Sequence, residues 1–228
     1  MKIVYCADKA IYKQLPTALN SLLKNNSKIE KIYLLIEDDT IDYICHPKIE
    51  FINLNRFDFV IRKGFNCTKK FPYMAMVRCY FTKILNEDKI IYLDVDTIVD
   101  SDISDLWNFN IGGNYIAAVT ESEGYFNSGV LLMNLQLIKA HKLDDILIRL
   151  LQGCRFVFPD QDAMNLVFKN HIAYLPNKFN KIGRDKEAYD SELVIRHFAG
   201  ITKPWKDGAT EKDKALWNKY KVNELRKI

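Results

Sequence analysis

Glycine and proline are scarce, 9 and 6 among 228 residues, which excludes a collagen-like or low-complexity polymer and leaves no flexible linker within the chain. Long apolar runs are also missing. Nowhere do about 18 apolar residues follow one another, so no segment reads as a membrane span. Met1 to Ala7 starts like a secretion signal, but Asp8 and Lys9 interrupt it before an apolar stretch of useful length, and no leader is expected. The cysteines (Cys6, Cys45, Cys67, Cys79 and Cys154) are scattered, odd in number and lack the CxxC or Cys/His spacing of a zinc site. They are expected to be reduced, small apolar residues of a cytosolic protein. Charge of one sign is lacking too: 33 basic against 29 acidic residues leave +4, too little for a nucleic-acid surface unless it is concentrated.

Part of it is concentrated, because residues 206–228 carry seven basic and four acidic side chains. That stretch is expected to be a basic C-terminal segment with a closing helix, Leu216 and Tyr220 lying one turn apart, after a main domain over residues 1–205. Lys219, Lys221, Arg226 and Lys227 offer at most a weak peripheral attraction to anionic lipid. What remains is ordinary for one globular domain, 48% hydrophobic and 27% charged.

The apolar pattern alternates between strand and helix. Ile3 to Ala7, Ile32 to Ile36 and Phe51 to Leu54 read as buried strands. Ile11, Leu15, Ala18, Leu19 and Leu22 share one helical face, as do Met74, Val77, Phe81, Ile84 and Leu85. Ile90 to Leu93 is a further strand, followed by strands at Tyr115 to Val119 and Gly129 to Met133 and helices near Leu143 to Leu151 and Asp160 to Phe168. This order predicts an α/β sheet with substantial parallel pairing. Ligands of such sheets lie beyond the carboxyl ends of the strands, where Asp8, Glu37 and Asp94 would emerge.

The strongest local motif is Ile90-Ile91-Tyr92-Leu93-Asp94-Val95-Asp96-Thr97, an apolar strand delivering two carboxylates one residue apart. Two like charges there are costly unless a cation lies between them, and a hard divalent ion held this way commonly ligates substrate phosphates as well. Two solvated carboxylates at the start of a loop are the plainer alternative. The octapeptide also resembles the first motif of haloacid dehalogenase-like phosphatases, in which Asp94 would be the nucleophile and Asp96 the acid/base beside Mg²⁺. That family's motif usually lies near the chain start, whereas ninety residues of α/β sequence precede it here.

Ordered motifs run along almost the whole chain: Tyr5-Cys6-Ala7-Asp8, Arg78, Tyr92-Leu93-Asp94-Val95-Asp96, Tyr125-Phe126-Asn127-Ser128-Gly129-Val130, Pro159-Asp160-Gln161-Asp162, and His197-Phe198-Ala199-Gly200 leading to Lys203-Pro204-Trp205. In this order they resemble glycosyltransferase family eight, which includes bacterial lipopolysaccharide and lipooligosaccharide hexosyltransferases and glycogenin. The resemblance implies a GT-A fold, a Rossmann-like mixed sheet flanked by helices in a single domain. It also implies a UDP-glucose or UDP-galactose donor, Mn²⁺ with Mg²⁺ as the alternative, and a glycan or glycolipid acceptor. Asp94, Asp96 and His197 would ligate the metal, a donor set of hard oxygens and one imidazole. Ala7, Asp8 and Val95 would contact the donor, Asp8 accepting the uracil imide proton. Gly200 and Lys203 would hold the diphosphate, Arg78 would brace the donor sugar and the acidic pair, and Asn127 and Ser128 would meet sugar hydroxyls. Asp160 and Gln161 would lie at the reacting carbon.

Read without the resemblance, His197 is a core or surface histidine on a strand, like His46, His141 and His171. Lys203 and Arg78 are solvated charges, and Asp160 is placed to cap a helix beginning at Gln161. Two positions depart from the family. Ala10 stands where an Asn is common, removing a polar contact to the base, and only four residues separate Thr120 from Tyr125, which implies an open acceptor cleft. The resulting expectation is a cytoplasmic retaining hexosyltransferase of glycan or lipopolysaccharide synthesis, at most peripheral at the inner face of the membrane. The phosphatase and a catalytically inactive nucleotide-sugar-binding module are the alternatives.

Overall fold

The computed structural model describes residues 1–59, 62, 64–183 and 189–226. In chain order its elements are β1 (Lys2–Cys6), α1 (Leu15–Asn25), β2 (Lys31–Ile36), β3 (Ile44–Cys45), β4 (Ile49–Asn53), α2 (Tyr73–Met76), α3 (Phe81–Ile84), β5 (Lys89–Leu93), β6 (Thr97–Val99) and α4 (Ser104–Trp107). There follow β7 (Ile116–Ser122), β8 (Tyr125–Asn134), α5 (Leu135–Ala140), α6 (Leu143–Gly153), α7 (Pro159–Phe168), β9 (Ile172–Tyr174), β10 (Ile195–His197), α8 (Glu211–Tyr220) and β11 (Leu225–Arg226). Seven strands form the central mixed sheet in the order β4-β2-β1-β5-β8-β7-β9. The first four run parallel, β8 is antiparallel to both of its neighbours, and β9 is parallel to β7.

Both faces of this sheet are covered, which is why its strands read as unbroken apolar runs. Ile3 and Tyr5 of β1 pack on one side with Leu15, Ala18, Leu19 and Leu22 of α1. Val4 and Cys6 point the other way, toward Met76, Leu147, Met164 and Phe168. Asp8, Glu37 and Asp94 leave β1, β2 and β5 at one edge of the sheet, as the strand pattern predicts.

Three local expectations shift. Ile11 lies before α1, which starts at Leu15 with Pro16 in its first turn, a place where proline's missing N–H costs nothing. The face from Met74 to Leu85 is two short helices separated by a 3₁₀ turn at Val77–Tyr80. The buried guanidinium of Arg78 sits in that tighter turn, its Nε donating to the Ala75 carbonyl at 2.9 Å. β8 begins four residues earlier than Gly129 because Asn165 of α7 satisfies both backbone groups of Phe126, at 2.9 Å each.

A two-stranded sheet sets Ile195 opposite Val99 and His197 opposite Thr97. Behind it, buried Arg196 donates to Asp213 at 2.8 Å and to the His197 carbonyl at 3.0 Å. α8 packs its Trp217 ring against Phe198 and Trp205, and Asn20 of α1 donates to the Tyr220 carbonyl at 2.7 Å. Lys219 pairs with Asp100 at 2.6 Å and Arg226 with Glu224 at 2.8 Å; Lys227 lies outside the described residues. No helix among the described residues is long and apolar enough to cross a membrane.

Candidate active site

β5 ends at Leu93, and the chain turns so that both following acids point to one spot. Asp94, Asp96 and His197 present ligand atoms that all lie within 4.8 Å of one another. The His197 Nε2 stands 3.6 Å from Asp94 and 3.4 Å from Asp96, and its Nδ1 is held by Asn180 Oδ1 at 3.0 Å. That second contact fixes the ring's orientation. The histidine reaches the spot only because residue 129 is glycine: a Cβ there would lie 2.1 Å from His197 Cε1 and 2.8 Å from Asp94 Oδ2. Two carboxylates, one imidazole and a backbone pared down to admit them fit a divalent cation of the Mn²⁺ or Mg²⁺ class. Lys203 ion-pairs with Asp96 and donates to the Phe198 carbonyl at 2.8 Å. Burial pushes the Asp96 carboxyl up, but His197 and Lys203 outweigh it and hold the group below the ordinary carboxylate range.

A second cluster adjoins the first through Arg78. Its guanidinium lies over the Tyr92 ring, donates to Asp94 at 2.8 Å and stands 3.2 Å from Asp160. Tyr92 also donates to Asp94 through its hydroxyl. Asp160 accepts from the Ser128 hydroxyl at 3.1 Å, and Gln161 Oε1 accepts from the Ser128 N–H at 2.9 Å. Asp160 therefore does not cap α7. Pro159 occupies the first turn, Phe158 is the capping residue, and the Asp160 side chain turns inward. Burial raises the Asp160 carboxyl, opposed by Arg78 and reinforced by Asp94, with a net upward shift. Asp162 is likewise engaged, accepting from the Tyr125 hydroxyl and from the Val157 and Phe158 N–H groups.

The remaining positions expected at the site are distributed around these clusters. Asn127 accepts from Asn180 at 2.9 Å, which connects it to His197. Ala7 is buried at the end of β1, and Asp8 accepts from the Ala10 N–H at 3.0 Å. The Val95 side chain belongs to the core. Gly200 turns the 198–203 loop with φ of 88°. Glu121 joins the site without having been foreseen: its carboxylate accepts from Gln161 Nε2 at 2.9 Å and from Asn127 Nδ2 at 3.1 Å. It stands at the mouth of a tight β7–β8 hairpin, where Gly124 adopts φ of 70°. Asn180 is another unmarked member, because no local motif singles out a residue whose side-chain partners, Asn127 and His197, lie on two other segments.

Known proteins resemble this chain along almost its whole length. The Streptococcus pneumoniae glycosyltransferase GlyE is 29% identical over 247 aligned residues, covering 96% of this chain and 60% of that protein, so the chain spans about three fifths of its length. The Escherichia coli K12 lipopolysaccharide 1,2-glucosyltransferase is 25% identical across 90% of this chain and 72% of that protein. Among solved structures, an active-site mutant of LgtC superposes with a TM-score of 0.79 at 21% identity, covering 97% of both chains. GlyE follows at 0.77 and 27%, covering 96% of this chain and 59% of that one. The fold is thus the GT-A fold of these enzymes. The model of glycosyl transferase family 8 matches residues 2–209, which contain both clusters, and the chain belongs to that family.

Proposed function

We propose that this chain is a retaining glycosyltransferase that moves glucose or galactose from a UDP-sugar to a hydroxyl of a glycan or glycolipid acceptor. One glycosyltransferase unit would run through residue 205, closed by residues 206–228. The observation that carries the reading is the meeting of Asp94, Asp96, His197 and Lys203 at the carboxyl ends of the strands, beside Gln161. Bound there, a divalent ion would neutralise the diphosphate of the donor. The chain's own residues do the rest. Lys203 would leave Asp96 for the phosphate oxygens of the departing UDP, stabilising charge as it develops. Arg78 holds Asp94 toward the metal position and Asp160 toward the sugar, and Asp8 would accept the uracil imide proton.

Retention by two inversions needs a free nucleophile beneath the anomeric carbon. Gln161 is a neutral amide held by Ser128 and Glu121, Asp160 is tied to Arg78 and Ser128, and Asp162 is tied to Tyr125 and two backbone N–H groups. This favours attack by the acceptor on the face that UDP leaves. The C1–O bond to the β-phosphate breaks, the acceptor oxygen bonds to C1, and its proton passes to the leaving diphosphate. Glu121 would keep Gln161 in place and meet a hydroxyl of the incoming sugar. Transfer from an α-linked UDP-hexose, followed by proton NMR of the first product, tests the proposal. An α coupling is expected. A β linkage, or a glycosyl adduct on Glu121 or Asp162, contradicts the same-face mechanism, while tight UDP binding without turnover would identify an inactive nucleotide-sugar-binding module.

A further inference from the structure

The buried side chain of Asn66 clips two surface segments together. It donates to the Leu151 and Cys154 carbonyls at 2.7 and 2.8 Å and accepts from the Phe156 N–H at 3.1 Å. The paired segments display apolar side chains to water: Val157 is 72% exposed, Phe158 45% and Phe65 44%. Basic groups stand over the rings. Lys70 Nζ is 5.8 Å from the centre of Phe158, and the Arg155 guanidinium is 5.8 Å from that of Phe65. Phe71 packs edge-on against Phe158 at 5.9 Å, joining the two segments on their outer side.

Residues 64–71 and 152–158 contain Lys69, Lys70 and Arg155 and no acid. Among the described residues none of these three forms an ion pair. Asp162 lies behind them with its oxygens occupied by Tyr125 and by the Val157 and Phe158 N–H groups. In the C-terminal segment Lys214, Lys219 and Arg226 are matched by Glu211, Asp100 and Glu224, while Lys206, Lys212 and Lys221 form no ion pair among the described residues.

We infer that this lip is a docking surface for an anionic lipid bilayer and that the acceptor is presented on a lipid at that surface; the second half rests on the glycosyltransferase reading. Exposed apolar tips flanked by unpaired cations suit the boundary between headgroups and acyl chains, where both kinds of group find partners that water or a neutral glycan does not supply. Long basic side chains can keep their heads at the phosphates while their stems lie along the apolar surface. The position carries the functional consequence. Phe158 immediately precedes α7, whose first turn holds Asp160 and Gln161. A lip resting on the bilayer therefore holds the start of α7, with Asp160 and Gln161, near headgroup level.

Sedimentation with phosphatidylcholine vesicles, and with vesicles that also contain phosphatidylglycerol, tests this. The wild-type chain is expected to bind only the mixed vesicles. Lys69→Gln/Lys70→Gln should weaken binding by about 25-fold, at roughly fivefold per basic residue. Val157→Ser/Phe158→Ser should weaken it even at low salt, and Lys219→Gln/Arg226→Gln should change it little. All three variants should keep the wild-type melting temperature and Mn²⁺-dependent UDP binding. No binding by the wild type, or a loss confined to the C-terminal variant, overturns the docking surface. Vesicle binding without UDP binding would leave the surface standing and defeat the glycosyltransferase reading, and the converse would do the reverse.

Discussion

Gly129→Ala should dismantle the metal site while adding a single methyl group. The new carbon would lie 2.1 Å from His197 Cε1, 2.7 Å from its Nδ1 and 2.8 Å from Asp94 Oδ2. Carbon atoms meet comfortably at about 3.5 Å, so the ring has to retreat by about 1.4 Å. His197 is buried, and its Nδ1 is pinned to Asn180 at 3.0 Å, so it has no free rotamer to adopt. Overpacking of this kind costs about 1–3 kcal/mol. Metal ligands tolerate displacements of only about 0.2 Å, so Mn²⁺ affinity should fall at least as far as on losing an outer partner, about 10–100-fold. Counting free Mn²⁺ by electron paramagnetic resonance, alongside thermal melting, reads both effects. Gly129→Ala/His197→Ala separates them: without the ring only the 2.8 Å contact with Asp94 Oδ2 remains, so the double variant should be less destabilised than the two singles summed, by about 1 kcal/mol or more. Its metal affinity should stay low. Wild-type Mn²⁺ affinity in Gly129→Ala, or strict additivity in the double variant, would refute the argument.

Lys203→Ala should act in opposite directions in two assays. Freed of its ion pair with Lys203, Asp96 should bind Mn²⁺ more tightly in the absence of nucleotide by calorimetry, while turnover falls about 100–1,000-fold as the leaving diphosphate loses a donor. Asp213→Asn leaves the buried Arg196 guanidinium without its 2.8 Å partner and should cost about 3–5 kcal/mol in urea unfolding. Burial raises the Asp213 carboxyl, yet Tyr189, Thr210 and Arg196 bring it below its ordinary value. Its contribution is therefore complete above the unfolded pKa of about 3.9 and is lost as pH falls through the lower folded value, so the gap between wild type and variant should close below about pH 4. Asn165→Ala removes the partner of both Phe126 backbone groups and should destabilise by about 1–3 kcal/mol, with slower transfer because α7 also carries Gln161.

The strands and the acids at their ends are legible in the sequence because burial on both faces forces continuous apolar runs, and a run that ends in Asp94 or Glu37 marks where the sheet meets water. The metal triad is legible only in part. Asp94 and Asp96 announce themselves by spacing, whereas His197 is joined to them by a pairing of β10 with β6, across about a hundred residues of sequence. The helix face around Arg78 misleads, since its periodicity fits one helix while the ties of the guanidinium to Asp94 and Asp160 accompany a 3₁₀ turn in its middle. The assignment of Asp160 as a cap overlooks a local signal: Pro159 is preorganised for a first helical turn, which moves the cap back to Phe158. Glu121 carries no such mark. It belongs to the site only because Gln161 and Asn127 arrive beside it from other elements.

The claim at the centre of this account is that Asp94, Asp96 and His197 form a divalent-cation site that presents a nucleotide diphosphate to the chain. Titrating UDP calorimetrically into the wild type and Asp96→Asn, each with Mn²⁺ and each with the ion chelated, addresses it directly. The account predicts strong binding only for the wild type with Mn²⁺, because the bare diphosphate otherwise faces uncompensated carboxylates. Equal UDP affinity with and without the ion, or in the wild type and Asp96→Asn, would contradict it.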